Sequence, residues 1–400
     1  MESIGLTMVL IVLSLGAGLC DGCLEEERLA LFQLKPFFHF IDHRVQYLNY
    51  DDSVEERESS SDCCEWERVV CNPTSGRVTH LSLDVPYVET SYDLVDIVEY
   101  NYMGSQEENY WYLNASLFLP FEELQNLSLR GNSVVGCIAN QGFERFLSRL
   151  NKLQILDLSE NYFNNSILAS LSGLSSLNSL NLANNKFTGS NSTYGIKILS
   201  KLNNLETLDL SFNNLGNNIL QQLNDFTSLK SLRLQNCGLK GIVDMLEKVR
   251  MKLNKLEVLD LSRNDFSNNI FSSLTAFSNL KSLDLSANNL KGPIYAKDLN
   301  ALSNLEELTL SRNEVNEFTP LQGLRLMKLK AVDLSGNFFN NSILSSLATL
   351  SNLKTLRIEN SNFKGLLDVK ELYDLSNLEE LYLACDIGIA KIKGFTNKSC

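Results

Sequence analysis

The fold is decided by the stretch Leu205-Glu-Thr-Leu208-Asp-Leu210-Ser-Phe-Asn213, which has the pattern Leu-x-x-Leu-x-Leu-x-x-Asn. The pattern occurs eleven times, at intervals of 24 to 29 residues. Its first leucine stands at positions 124, 153, 177, 205, 229, 256, 280, 305, 329, 353 and 378. Self-similarity at a short fixed period indicates stacked coils, because one coil cannot bury its leucines without neighbours. The sequence therefore predicts a solenoid.

The chemistry of one coil follows from the spacing of its leucines. Leu208 and Leu210 are two residues apart, so a short strand points both side chains into the core. The residues beside them are expected to point into solvent: Thr207, Asp209 and Ser211. The amide of Asn213 can satisfy backbone groups that the following turn leaves unpaired. We expect an α/β repeat solenoid forming an arc, with a parallel sheet on its concave face.

The charge balance and the motif content exclude several function classes. The net charge of −13 and the pI near 4.9 argue against nucleic acid or an anionic membrane as a partner. The three histidines, His39, His43 and His80, belong to no catalytic or phosphate-binding motif. We therefore expect no enzymatic activity, no catalytic residue and no cofactor.

The N-terminus predicts entry into the secretory pathway. Residues 4–19 form one apolar run that is short for a bilayer span and suits the core of a signal peptide, with cleavage around residues 18–22. No later run resembles a transmembrane helix. We expect the mature chain to be extracellular, or on the outer face of the plasma membrane, without a membrane span of its own.

Four cysteines stand near the start of the predicted mature chain: Cys23, Cys63, Cys64 and Cys71. In an oxidising compartment they are expected to form disulfides. Three pairings are possible, and we expect Cys23 with Cys63 and Cys64 with Cys71. The segment after Cys23 has helical spacing, which predicts a disulfide-bonded helical cap over the first coil. The alternative is a zinc site using three of these cysteines and His80, but adjacent cysteines are poor co-ligands, so no metal is expected.

Two further patterns resemble a known family. Trp66 follows the cysteine pair in Cys63-Cys64-x-Trp66, and the strand segment Gly76-Arg-Val-Thr-His-Leu81 comes next. A Gly-x-Ile-like segment follows the asparagine turn in three repeats, as Gly241-Ile-Val, Gly292-Pro-Ile294 and Gly365-Leu-Leu. These features resemble plant leucine-rich-repeat receptor-like proteins. The resemblance implies a plasma-membrane protein whose ectodomain binds a peptide, glycan or protein ligand and signals through a partner receptor kinase, in immunity or development.

The repeats and the resemblance divide the chain into five segments. They are a signal peptide at 1–22, an N-terminal cap at 23–75, the first strand with an acidic, tyrosine-rich insertion at 76–123, eleven repeats at 124–386, and an incomplete tail at 387–400. The tail contains neither a further repeat nor an evident cap. We therefore expect the last coil to expose its leucines, unless a Cys385–Cys400 disulfide clips the tail back. The sequence is interpreted as truncated before the membrane helix of its relatives.

Residues 84–112, the insertion, carry seven acidic side chains and no lysine or arginine. They also carry seven aromatic residues, which are common at interfaces. We interpret the segment as a flap over the edge of the first strands. The alternative is an aromatic and acidic recognition loop.

Strand residues that point away from the core are expected to form rows from coil to coil. The Asp of Leu-Asp-Leu-Ser is interpreted as structural, and row-wise ion pairs are expected for Arg233 with its neighbouring aspartates and for Arg357 with Asp333. The side chains most suited to binding a ligand are Phe212, Arg233, Arg263, Glu307, Arg312 and Tyr382. At the ladder position Cys237 replaces asparagine and is interpreted as an inert, buried thiol. Ser361 and Asp386 are expected to fill that position less well.

Glycosylation is predicted at six sequons, Asn114, Asn126, Asn164, Asn191, Asn340 and Asn397. A glycan on Asn126 would obstruct the first strands and so favour a ligand site on the middle coils. Two functions fit the whole pattern. One is the recognition module of a receptor-like protein. The alternative is a freely secreted binding protein that resembles the plant inhibitors of microbial polygalacturonase.

Overall fold

The structure is a computed structural model. It describes residues 23–34, 62–85, 110–139, 142, 149–189, 195–241, 253–275, 277–319, 326, 328–340, 342–347, 350–361, 375, 377–385 and 388–393. The predicted signal peptide, His39, His43, Asp386 and Cys400 lie outside these residues. The chain forms two compact units: residues 1–161 with 173–177 are unit 1, and residues 162–172 with 178–400 are unit 2.

Unit 1 begins with the predicted cap. Helix α1 covers residues 25–34, and a 3₁₀ turn covers Cys63–Glu65. Disulfides join Cys23 to Cys63 and Cys64 to Cys71, so the expected pairing is confirmed. Inside the cap the ring of Phe32 meets the buried Trp66 edge-on, with ring centroids 5.4 Å apart.

The strands of unit 1 form two small sheets. They are β1 (Val69–Cys71), β2 (Val78–Ser82), β3 (Trp111–Leu113), β4 (Asn126–Ser128), β5 (Val134–Cys137) and β6 (Ile155–Asp157). In the larger sheet the order is β1-β2-β4-β6; β1 is antiparallel to β2, and the remaining pairs are parallel. In the smaller sheet β3 lies parallel to β5.

Unit 2 repeats one strand in each coil. Its main sheet contains β7 (Ser179–Asn181), β8 (Thr207–Asp209), β9 (Ser231–Arg233), β10 (Val258–Asp260), β11 (Ser282–Asp284), β13 (Glu307–Thr309), β15 (Ala331–Asp333), β16 (Thr355–Arg357), β17 (Glu380–Cys385) and β18 (Gly388–Lys393). From β7 to β17 neighbouring strands are parallel and in register. A second parallel pair, β12 (Lys291–Tyr295) with β14 (Glu314–Thr319), lies apart from this sheet.

Short helices close the coils on the side away from the strands. The α-helices after the cap are α2 (Leu168–Leu171), α3 (Asn218–Gln222), α4 (Ile270–Leu274), α5 (Ala296–Leu299) and α6 (Ile343–Leu347). The 3₁₀ turns are Ala115–Phe118, Asn165–Ile167, Ile196–Lys201 and Leu223–Asp225. The first leucine of each of the eleven repeats is at most 2 % exposed, as the leucine pattern predicts.

The asparagine ladder is confirmed as the polar interior of the coils. Asn313 is typical: its Nδ2 donates to the carbonyls of Leu310 and Leu285 at 3.0 Å and to Ser311 at 3.2 Å. Its Oδ1 accepts the backbone N–H groups of residues 288 and 290, each at 3.1 Å. One amide thus satisfies its own turn and the preceding coil. Backbone groups that would otherwise be buried without partners are paired in this way.

Cys237 occupies this ladder as expected. Its Sγ is buried and lies 3.3 Å from the carbonyl oxygen of Leu210 and 3.5 Å from that of Gln235. Burial raises the pKa of this thiol to about 12, so it stays protonated and unreactive. Ser361, expected to fit less well, has a buried hydroxyl without a hydrogen-bond partner.

The solvent prediction for the strand residues is wrong for Ser211, which is only 4 % exposed. Its hydroxyl accepts the backbone N–H of Gln235 at 3.2 Å, so the next coil covers it. Strand periodicity fixes the face on which a residue lies. It does not account for the neighbouring coils, which stand about 4.8 Å away and shield small side chains.

At its C-terminal edge the main sheet of unit 2 ends in a strand that the sequence analysis did not predict. Strand β18 pairs antiparallel with β17 over six residues, from Glu380↔Lys393 to Cys385↔Gly388. The backbone of the last repeat is therefore hydrogen-bonded on that side. The open row of N–H and C=O groups is thereby moved from the last repeat strand to β18. The expectation that the last coil exposes its leucines is wrong, because Leu378, Leu381 and Leu383 are at most 4 % exposed.

Candidate functional site

The solvent face of unit 2, the side of its main sheet away from the leucine core, carries the candidate residues in register. Its middle row is Asn181, Asp209, Arg233, Asp260, Asp284, Thr309, Asp333, Arg357 and Tyr382, each opposite the next in the parallel ladder. The row predicted from the repeat spacing is therefore confirmed within unit 2.

The aspartates of this row are occupied with local structure. The Oδ1 atoms of Asp209, Asp260 and Asp333 each accept the backbone N–H of the residue two positions on, at 2.9 Å, and Asp284 does so at 2.7 Å. Burial raises the pKa values of Asp209 and Asp284. Carboxylates that fix the exit of each strand support the structural interpretation of the Leu-Asp-Leu-Ser aspartate.

A second row borders the sheet, and it was not recognised from sequence. The residue immediately before each ladder position has a positive φ. In unit 2 this left-handed row is Asn184, Phe212, Asn236, Arg263, Ala287, Arg312, Gly336 and Asn360, with φ between 50° and 66°. Backbone N–H groups of the row donate to the following coil, for example Arg263 to Ser286 O at 2.8 Å and Arg312 to Ser335 O at 2.7 Å. The row therefore extends the coil-to-coil hydrogen bonding.

Three of the predicted ligand-binding residues, Phe212, Arg263 and Arg312, belong to this left-handed row. All three are exposed, and Phe212 is 38 % exposed. A positive φ is unfavourable for side chains of this size and costs about 1–2 kcal/mol for each residue. Coil closure imposes the conformation, because asparagine, alanine and glycine share it at the same position.

The other three candidates are already in contact with their neighbours. Arg233 lies 4.0 Å from an oxygen of Asp209, which confirms that ion pair at its outer limit. The ion pair expected between Arg233 and Asp260, both described residues, does not form. Glu307 accepts the hydroxyl of Ser282 at 3.2 Å. The Tyr382 hydroxyl donates to Glu380 at 3.0 Å.

Arg357 was expected to pair with Asp333, and the structure places it elsewhere. Its guanidinium lies over the ring of Tyr382, 4.5 Å from the centroid. A planar cation over an aromatic face is attracted by the ring quadrupole and is weakly hydrated. This stacking also fixes the orientation of the Tyr382 ring.

One lateral edge of the sheet carries a ladder of charges that sequence reasoning missed. Its ion pairs are Lys230–Glu206, Lys281–Glu257, Lys330–Glu306 and Lys354–Glu379, with N–O distances of 2.6 to 2.8 Å. Its signal was the alternation of Lys and Glu directly after the first leucine of successive repeats. Exposed pairs of this kind are individually weak. Each of these eight side chains has an opposite charge beside it.

The cap offers no support for the zinc alternative among the described residues. Cys23, Asp62 and Cys64 come within metal-binding distance of one another, but both sulfurs belong to disulfides. The Asp62 carboxylate instead accepts the N–H groups of Cys23 at 3.0 Å and Cys64 at 2.8 Å. His80 lies on β2 with its Nδ1 2.9 Å from the hydroxyl of Thr79.

Four of the six predicted glycosylation sites fall on described residues. Asn114, Asn164 and Asn340 each accept the backbone N–H of the serine of their own sequon, at 2.9 to 3.0 Å. Asn126 lies on β4, opposite His80 and Ile155, so a glycan there would stand on the sheet of unit 1. Asn191 and Asn397 lie outside the described residues. Glycosylation itself stays a prediction.

The ends of the insertion are attached to the first coils. Trp111 donates its indole N–H to the carbonyl of Asn132 at 2.7 Å, and Asp84 accepts the backbone N–H of Arg130 at 3.0 Å. Tyr112 is exposed and lies 3.7 Å from the position that a Cβ on Gly136 would occupy. Residues 86–109 are outside the described part of the chain, so both interpretations of the insertion stay predictions.

Comparison with known proteins gives the family. The family model described as a leucine-rich repeat region matches residues 190–400, and a leucine-rich-repeat model matches residues 152–174. Receptor like protein 21 of Arabidopsis thaliana is 36 % identical over 220 residues, which are 54 % of this chain and 20 % of that protein. Cuscuta receptor 1 of Solanum lycopersicum is 32 % identical over 334 residues, which are 84 % of this chain and 26 % of that protein.

One solved structure with similar coils is the LRR ectodomain of the plant membrane receptor kinase GASSHO1/SCHENGEN3 from Arabidopsis thaliana. It is 23 % identical with a TM-score of 0.42, covering 84 % of this chain and 46 % of that chain. The present chain spans between a fifth and about a quarter of the curated relatives named above. Among the described residues no helix has the length and apolar character that a bilayer span needs. Because a family model matches more than half of its residues, the chain belongs to the leucine-rich-repeat family and is similar to plant receptor-like proteins.

Proposed function

We propose that this chain is the non-catalytic recognition module of a plant cell-surface receptor-like protein, and that the solvent face of unit 2 binds an extracellular peptide or protein ligand. A partner receptor kinase would carry the signal, in immunity or development. The similarity to proteins named as receptors supports this placement outside the cell. So does the pair of disulfides in the cap, because disulfides persist in oxidising compartments.

One observation carries the proposal: the left-handed row presents large side chains that the fold does not need. Phe212, Arg263 and Arg312 are exposed at positions where alanine and glycine also occur. Aromatic and arginine side chains provide most of the binding energy at protein interfaces. The middle-row aspartates hold backbone N–H groups and the lateral charge ladder is paired, whereas the side chains of Phe212, Arg263 and Arg312 are exposed beside them.

A displayed library of random octapeptides tests this proposal. The full chain is immobilised and used to enrich peptides from the library. The affinity of each enriched peptide is then measured for the unmodified chain and for variants of it. We expect Phe212→Ala to weaken these peptides by about tenfold, the loss of roughly 1.4 kcal/mol that an interface aromatic provides.

Phe338→Ala is the matched control. Phe338 is 52 % exposed and follows the ladder residue Asn337 instead of preceding it, so it lies outside the left-handed row. Its replacement should leave affinity within about twofold, as expected for a side chain outside the interface. Peptides that bind equally well to both variants and to the unmodified chain would contradict the proposed location of the site.

A further inference from the structure

Arg263 and Arg312 differ from every other arginine in the described part of the chain, because their side chains make no ion pair, hydrogen bond or ring contact. The remaining described arginines all have partners. Arg28, Arg77, Arg130, Arg149 and Arg233 are in ion pairs, Arg68 donates to the carbonyl of Asp84, and Arg357 lies over Tyr382. In a chain of net charge −13, two unpaired guanidinium groups in one row are an exception.

The aspartates of the middle row do not reach these two arginines. Asp260 and Asp284 precede the left-handed row by three residues in their own coils, yet neither is within 4.0 Å of a guanidinium nitrogen of Arg263 or Arg312. Their carboxylates accept the N–H groups of Ser262 at 2.9 Å and Ser286 at 2.7 Å. Both guanidinium groups are therefore solvated and available to pair with a ligand.

Small residues alternate with the arginines along the row. Ala287 stands between Arg263 and Arg312, and Gly336 follows. A Cβ on Gly336 would come within 3.3 Å of the Arg312 Cγ, so the aliphatic part of Arg312 covers that glycine. The small side chain of Ala287 thus stands between two cations in the row.

The spacing of the row determines which ligand fits it. Successive coils stand about 4.8 Å apart, so Arg263 and Arg312 are about 10 Å apart along the row, and Phe212 is about 10 Å further on. An extended peptide advances about 3.3 Å per residue, so six or seven residues cover the distance from Phe212 to Arg312. Planar guanidinium groups bind carboxylates in bidentate geometry.

The geometry points to a ligand with two carboxylates: an extended peptide segment whose Asp or Glu side chains pair with Arg263 and Arg312, with an apolar residue against Phe212. This inference deepens the proposed function and rests on it. The peptide would run across the coils along the left-handed row. Its acidic residues would provide selectivity and a salt-dependent part of the affinity.

The octapeptides enriched on the unmodified chain test this inference. We expect a recurring pair of acidic residues two to four positions apart, with an apolar residue beyond them. Replacing both acids by glutamine in a synthetic peptide should lower affinity about tenfold at low salt, consistent with losing two partly exposed charge pairs. The variant carrying Arg263→Gln and Arg312→Gln should bind the acidic and the glutamine peptides equally.

Lys255→Gln is the matched control. Lys255 is exposed and unpaired, but it stands in the turn before the strand of its coil and outside the left-handed row. The control should keep the full preference for the acidic peptide. The melting temperature of each variant is measured as well, because glutamine and arginine tolerate a positive φ similarly and folding should not change.

Three outcomes would overturn the inference. Enriched peptides without acidic pairs that still lose affinity on Phe212→Ala would reject the acidic ligand and leave the proposed function intact. Acidic peptides that bind the double arginine variant undiminished would place the carboxylates elsewhere. No enrichment on the unmodified chain would reject both the acidic segment and an extended peptide ligand for this face.

Discussion

Arg312 and Asn313 are neighbours in the chain with opposite environments. Asn313 is 5 % exposed, and its amide makes five hydrogen bonds to backbone groups of two coils. Arg312 is exposed at a φ of 54°, and its guanidinium has no partner in the structure. The same contrast recurs at Arg263 and Asn264. Each coil therefore joins a residue that the fold requires to one that the fold leaves free.

Under the proposed function, this difference assigns stability and recognition to neighbouring residues. The ladder position admits few residues, because several buried backbone groups depend on it. The preceding position admits Phe, Arg, Asn, Ala and Gly, because only its backbone is constrained. A repeat protein can thus vary its binding surface while its interior stays constant.

The largest effect is expected for Asn313→Ala. This variant leaves three carbonyls and two N–H groups without their hydrogen-bond partner. Two of these carbonyls belong to the core residues Leu310 and Leu285. Unpaired buried groups cost about 1–3 kcal/mol each, and water will reach some of them, so we expect a loss of about 3 kcal/mol in the free energy of unfolding. Urea denaturation followed by circular dichroism measures it.

Asn316→Ala is the control for that variant. It removes the same side chain three residues later, on the exposed side of β14. Its effect should stay within about 0.5 kcal/mol, as for surface substitutions generally. Equal losses for Asn313→Ala and Asn316→Ala would contradict the role of the ladder.

A smaller effect on the free energy of unfolding is expected from Glu27, a buried carboxyl group in the cap that is only partly hydrogen-bonded. Its Oε2 accepts the N–H of Val78 at 2.9 Å, while its Oε1 is buried without a hydrogen-bond partner. Burial raises the pKa of Glu27 from 4.5 to about 7, the Val78 hydrogen bond and Arg77 lower it, and Glu123 and Glu122 raise it further. The folded state therefore favours the protonated acid.

The sign of the pH dependence follows from this raised pKa. Below pH 4.5 Glu27 is protonated in both states, and its full contribution to stability is present. The unfolded chain releases this proton near pH 4.5, whereas the folded state keeps it until about pH 7, so the stability falls progressively between these values and the contribution of Glu27 is lost above pH 7. Between pH 4 and pH 8, the free energy of unfolding of the Glu27→Gln variant should change less than that of the unmodified chain. A variant with the same pH profile as the unmodified chain would contradict the assignment.

Cys237→Asn should stabilise by about 1 kcal/mol, because an amide replaces a weak thiol donor in the ladder. The neighbouring acceptors are already placed, since the Sγ lies 3.3 Å from the carbonyl oxygen of Leu210. Cys237→Ala, which offers no donor, should instead destabilise. A loss of stability in the asparagine variant would contradict this prediction, because it would show that this coil holds a thiol but not the larger amide.

The sequence predicted the parts of the molecule that depend on buried periodicity. The leucine core and the ladder with Cys237 follow from spacing and residue type, and the structure confirms them. Of the three possible cysteine pairings, the expected one is confirmed. Burial of Ser211 could not be read from one coil, because the adjacent coil causes it. Strand β18 could not be predicted, because its residues do not carry the leucine repeat pattern.

The candidate site was predicted in composition but not in geometry. Phe212, Arg263 and Arg312 were selected as exposed aromatic and basic residues, and their common left-handed conformation was not foreseen. Local preference argues against a positive φ for such residues, and the closure of the coil overrides it. Arg357 was assigned to Asp333 from charge alone, whereas the ring of Tyr382 lies within reach in the next coil.

The smallest effect on stability comes from relieving the left-handed row with glycine. In Arg263→Gly, release of about 1–2 kcal/mol of backbone strain is partly offset by the greater freedom of glycine in the unfolded chain. We expect a net gain of about 0.5 kcal/mol. Ala287 has a φ of 51°, close to the 54° of Arg263, so Ala287→Gly should gain similarly without removing a charge.

The affinity of these two variants for the enriched octapeptides tests most directly whether the left-handed row carries recognition while the ladder carries the fold. We expect Arg263→Gly to lose affinity about threefold or more, as for the loss of one exposed charge pair, and Ala287→Gly to bind like the unmodified chain. Equal affinity in both variants, or a loss of affinity that follows a loss of folding, would contradict it.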